Sequence, residues 1–140
     1  MTSPLSYHEY QLVRCFFLPN RQARYLELLA DHKRRPDVLK ELAHFKHLDL
    51  RWAQALPPNC NRPISIAKLL QSKGAPASCW AISESEKLDG KELDLLEALD
   101  EIVGCGMGTF LSCLPGQLAY FEDEENRYLL HRPDSAPADH

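Results

Sequence analysis

Apolar residues recur at helical spacing through the first half of the chain and at strand spacing in its last third. Val38, Leu39, Leu42 and Phe45 follow the i, i+1, i+4, i+7 rhythm of one helix face. Pro36 suits the opening turn of that helix, which extends to about residue 46. Asn20 stands as an N-cap for an earlier helix over 21–34, with Tyr25, Leu28 and Leu29 inward. Residues 7–18 are apolar-rich but of mixed period, so Val13, Phe16 and Phe17 fit a helix face or a strand. The stretch 48–56 reads as a short turn or helix carrying Trp52, and the proline-rich stretch 57–63 as a loop. Ile66, Leu69 and Leu70 predict a helix over 64–72, stopped by Gly74 and Pro76.

The period then changes. Residues 79–83 form a short apolar run expected as a buried strand. Asp89 and Glu92 stand at capping-box spacing, and Leu88 and Leu93 occupy hydrophobic-staple positions. These start a helix whose apolar face is Leu95, Leu96, Leu99, Ile102 and Val103, with Gly104 at its C-terminal cap. Strand-like runs follow at 109–114, 117–122 and 127–131, the first two joined by a Pro115-Gly116 turn of type II character. The expected fold class is α+β. A single compact domain has a helical N-terminal layer, then a strand, a helix and a three-stranded antiparallel meander in one roughly four-stranded sheet. The domain is expected over 7–132, with helices in about 20–74 and the sheet in about 78–132, between flexible ends at 1–6 and 133–140.

At 140 residues, 44% hydrophobic and 26% charged, the chain has the composition of a soluble globular domain. It contains no run near the roughly 20 apolar residues that span a bilayer and no secretory leader, so a cytoplasmic protein without membrane contact is expected. Its five cysteines are odd in number, scattered and free of CxxC spacing, the pattern of reduced thiols.

Charge divides by position. Residues 1–74 hold twelve Lys/Arg against six Asp/Glu, and residues 75–140 hold four against fourteen, so +6 and −10 make up the overall −4. Such an asymmetry concerns partners and surface fields rather than fold. In the acidic half, Asp94, Glu97 and Glu101 fall on one helical stripe suited to docking a basic partner. In the basic half, Lys33, Arg34 and Arg35 form the densest cluster, with Arg21, Arg24, Lys40 and Lys46 near in sequence. A pI of about 5.8 disfavours a dedicated nucleic-acid binder.

Candidate chemistry is sparse. Gly104, Gly106, Gly108 and Thr109 belong to a glycine-rich stretch, where freed amides can contact a small ligand. The order is helix, loop, strand, the reverse of a phosphate-binding loop, and no Lys-Ser/Thr follows the glycines. Cys113, Cys105 and Ser112 are nucleophile types that His131 could serve as base. His44 and His47 share a helix face beside Asp49, but no further pair completes a metal shell, so no metal and no cofactor are expected. The expected function is a non-catalytic protein-interaction or regulatory module with opposed basic and acidic surfaces. The alternatives are a small-ligand binder or small enzyme using the glycine loop and Cys113, and weak nucleic-acid contact through the basic helices.

Overall fold

Ser6 opens the first helix by accepting a hydrogen bond from the Glu9 amide at 3.0 Å. The structure, a computed structural model, describes residues 5–133. The expected flexible ends lie outside them except for Leu5, Ser6 and Pro133. Helix α1, Tyr7–Phe16, is followed by α2, Gln22–Ala30, and α3, Arg35–Glu41. The mixed-period segment is thus helical, and it buries Leu12, Val13 and Phe16 completely.

Helix α2 stops four residues earlier than its period suggests. There the Asp31 carboxylate accepts from the Lys33 amide at 2.9 Å, a local turn that competes with continued helix. After α3 a single 3-10 turn, Leu42–His44, frees Phe45 to leave the helix path. Its ring joins Phe17 at 4.8 Å and Phe110 at 5.6 Å between centroids.

Six strands form one antiparallel sheet. They are β1, Ala53–Ala55; β2, Ser78–Ser83; β3, Lys91–Asp94; β4, Thr109–Leu114; β5, Leu118–Glu122; and β6, Arg127–His131. Their spatial order is β1-β6-β5-β4-β2-β3. The α+β class stands, with β1 and β3 added at the two edges of the expected four strands. Helices α4, Pro63–Ser72, and α5, Leu95–Ile102, complete the chain.

The sheet is covered on both faces. Phe110, Ala119, Phe121, Leu130 and Ile82 meet the N-terminal helices, while Leu111, Cys113, Tyr120 and Leu129 meet α4 and α5. Central strands buried on both sides read as continuous apolar runs instead of alternating ones. Phe110 and Phe121 face each other across β4 and β5 with ring centroids 4.5 Å apart. Burying each such ring contributes roughly 1.5–3 kcal/mol.

A charged junction ties the N-terminal layer to the β2–β3 hairpin. The Arg35 guanidinium donates to Glu9 Oε1 at 2.8 Å and Oε2 at 3.0 Å, and to Asp89 Oδ2 at 2.9 Å and Oδ1 at 3.0 Å. Trp80 Nε1 donates to Glu9 at 2.7 Å, and the Ser83 amide donates to Asp89 at 3.0 Å. Arg35 is therefore turned inward at 17% exposure, leaving Lys33 and Arg34 as the exposed part of the expected basic cluster.

Asp89 is occupied in this junction, so it does not cap α5. Asp94 does, accepting from the Glu97 amide at 3.1 Å, and residues 91–94 pair with β2 as an edge strand. The Asp-x-x-Glu spacing occurs twice, and the second copy starts the helix.

Candidate functional site

Helix α5 buries Leu95, Ala98, Leu99 and Ile102 against β4 and α4 and turns Glu97, Asp100 and Glu101 to solvent. Glu97 lies in the first turn, where a carboxylate favours the positive end of the helix dipole. The last turn carries no basic residue, and Asp100 and Glu101 stand near the negative end. That placement costs stability. Glu101 meets Lys87 Nζ at 3.0 Å; among the described residues no cation lies within ion-pair distance of Glu97 or Asp100. The expected stripe of Asp94, Glu97 and Glu101 is divided in role, since Asp94 is the cap and Asp100 joins the outward acids.

The glycine loop leads from α5 to β4 and adds to this charge. The Gly104 amide donates to Glu122 Oε2 at 2.9 Å, and the Gly108 amide to Glu84 Oε2 at 2.8 Å. The Cys105 amide closes onto the Ile102 carbonyl. These three N–H groups are thus engaged by the protein itself, and a backbone donor so engaged is not offered to an anionic ligand.

Glu122 is 1% exposed and also receives the Tyr120 hydroxyl at 2.7 Å and faces Arg127 at 3.3 Å. Burial and this carboxylate push the Tyr120 phenol well above its ordinary range. Gly106 takes φ +73° with Glu124 beside it. Gly108 packs against the Leu42 backbone, so closely that any side chain there would overlap it.

Two concave surfaces flank α5. A pocket of about 520 Å³ opens between the 57–61 loop, Gly104 and Gly106, and the turn carrying Glu122, Asp123, Glu124 and Glu125, with Arg127 the one cation in its lining. A groove of about 410 Å³ runs between the β2–β3 hairpin and α5; Leu88, Leu93 and Ala98 line it beside Glu97, Asp100, Glu101 and Lys87.

The remaining candidates are dispersed. Thr109 is fully buried and shares a 2.8 Å hydroxyl contact with Ser83. Cys113 lies at the other end of β4 in the core under α4 and α5; burial pushes its thiol strongly up, and pushes that of Cys79 up to about 12. Neither Gly108, Thr109 nor Cys113 lines the pocket that Gly104 and Gly106 line. Ser112 meets a histidine, but it is His8 of α1, Nδ1 to Oγ 2.7 Å, and Ser112 is 2% exposed. His44 pairs with Glu124 at 3.5 Å while His47 packs on Tyr25, so the two diverge. Among the described residues no group of three potential ligands is gathered for a metal ion.

Sequence reasoning missed the Arg35–Glu9–Asp89 junction, the His8–Ser112 pair and the buried Glu122. Glu122 alone left a local signal, a carboxylate ending an apolar strand. No protein-family model, curated protein or solved structure matches the chain.

Proposed function

We propose that the protein is a non-catalytic interaction module that docks a basic protein partner on the acidic end of α5 and the adjoining β5–β6 turn. One observation carries this reading: Asp100 and Glu101 stand exposed in the last turn of α5, with no basic residue in that turn, and Glu124 and Glu125 are exposed on the turn across the glycine loop. Four exposed carboxylates, Asp100, Glu101, Glu124 and Glu125, stand on these two elements, with Lys87 engaged by Glu101 and His44 beside Glu124. Acids at a helix C-terminus oppose the dipole, and like charges repel across the loop. A partner's lysines or arginines relieve both, and they make association fast and salt-sensitive. Ser112 and Cys113 are enclosed, the exposed Cys105 thiol donates to the Glu101 carbonyl at 3.0 Å, and the loop amides are engaged, which favours docking over chemistry. Cross-linking in cell extract followed by direct binding of the purified partner tests the reading: Asp100→Lys with Glu101→Lys weakens a true partner at low salt, and unchanged binding contradicts it.

A second reading is favoured by the pocket itself. Its volume of about 520 Å³ and the acids Glu122, Asp123, Glu124 and Glu125 against the single Arg127 in its lining fit a small cationic ligand. A thermal-shift screen of polyamines and amino sugars tests it; a stabilising compound whose effect Glu124→Lys abolishes supports it, and none contradicts it.

A further inference from the structure

Resting on that docking reading, we propose that the groove between the β2–β3 hairpin and α5 seats an apolar side chain of a partner segment whose neighbouring residues are lysine or arginine. The floor is apolar: Leu88 and Ala98 are 5% and 1% exposed, and Leu93, on the outermost strand, is half-buried. At about 410 Å³ the groove is near the small end of ligand pockets, which run from roughly 300 to 1,000 Å³. That is room for one or two side chains of an extended segment.

The rim chooses the flanks. Three carboxylates, Glu97, Asp100 and Glu101, stand against one lysine, Lys87, which Glu101 already engages. A segment with basic residues on either side of its apolar anchor meets attraction at the rim and dry contact at the floor; an acidic or uniformly polar segment meets neither. Because β3 is the end of the sheet among the described residues, its outer edge beside the groove is open to a partner.

The test is selection of a random short-peptide display library on the full chain, with elution by high salt. The expected consensus places a leucine, isoleucine, methionine or phenylalanine between lysines or arginines. The synthetic consensus peptide should shift the methyl resonances of Leu88 and Leu93 in the unaltered chain. Replacing its apolar residue by serine should weaken binding roughly tenfold or more, the loss of about 1.4 kcal/mol of contact. Leu93→Gln should weaken the parent peptide comparably and leave the serine peptide unchanged. Should Leu93→Gln fail to fold, the methyl shifts and the serine comparison decide alone. Basic peptides without an apolar preference, shifting neither leucine, would overturn the groove while leaving acidic docking in place. Absence of any basic consensus would overturn both. Methyl shifts that depend only on the chain's own concentration would assign the groove to a second copy and overturn the proposal.

Discussion

Arg35 holds Glu9 through two nitrogen–oxygen pairs, 2.8 and 3.0 Å long, although Glu9 is 3% exposed and belongs to a different helix. The opposite edge of the same guanidinium holds Asp89 on the β2–β3 hairpin. One residue thus locks α1, α3 and the outer part of the sheet together. Removing it leaves two enclosed carboxylates without their cation. Arg35→Met is expected to cost about 3 kcal/mol, the low end for breaking a buried pair because the junction is partly solvated. Urea denaturation measures this, and a loss below about 1 kcal/mol would show that water replaces the guanidinium.

The two inner glycines of the loop are expected to differ. Gly106 needs its positive φ, so Gly106→Ala should cost about 1–2 kcal/mol. Gly108 lacks room as well as a side chain: a Cβ there would collide with the Leu42 backbone, which cannot rotate away. Gly108→Ala should cost about 3 kcal/mol, at the top of the range for over-packing. Thermal melts of the two variants rank them, and the reverse order would mean that the Leu42–His44 turn does not press on the loop as described.

Burial lowers the pKa of His8 below its ordinary 6.5 against a smaller opposing pull from Glu92. The unfolded chain then binds the proton more readily than the folded one. Stability from this group is full above about pH 6.5 and declines as pH falls through 6.5 toward the lowered folded value. The imidazole also stacks on Trp80 and touches Ser112. An NMR titration of the His8 ring should give a midpoint below 6.5; a midpoint at or above it would contradict the burial.

Within α5, neighbouring acids should respond with opposite signs. Asp94→Ala removes a cap and should lower stability by about 1 kcal/mol. Asp100→Lys replaces an unfavourable charge near the helix end and should raise stability by about 0.3–1 kcal/mol. Paired thermal melts check both. Loss of stability in Asp100→Lys would mean that this carboxylate has a role inside the fold.

Where local pattern and final environment agreed, the chain could be read directly. Residues 109–114 and 127–131 are strands in the sequence pattern and in the structure, because continuous apolar runs bounded by turn residues suit strands covered on both faces. The hairpin strand β3 was hidden, since Lys91-Glu92-Leu93-Asp94 lacks an apolar run and follows a cap-like Asp89. What misled the pattern was distance: Asp89 is taken by Arg35, 54 residues away, which no local spacing encodes. Strand β1 is three residues long and is held by pairing with β6, again a remote cause. Of the candidate site residues, Glu97 and Glu101 were legible as helical surface acids. Asp100 lies between them in sequence, yet it becomes distinctive only once the helix end is located. Arg35 looked like its basic neighbours because its inward turn depends on Glu9, 26 residues earlier.

The central claim is that the acidic end of α5 is a binding surface kept at a cost in stability. Its most direct measurement is the affinity of a purified cross-linked partner for the unaltered chain and for Asp100→Lys with Glu101→Lys, titrated by calorimetry at low and high salt. The account predicts that the variant melts no lower than the parent, binds at least roughly tenfold more weakly at low salt, and loses most of the parent's salt dependence. Equal affinity and equal salt dependence in the two proteins would contradict it.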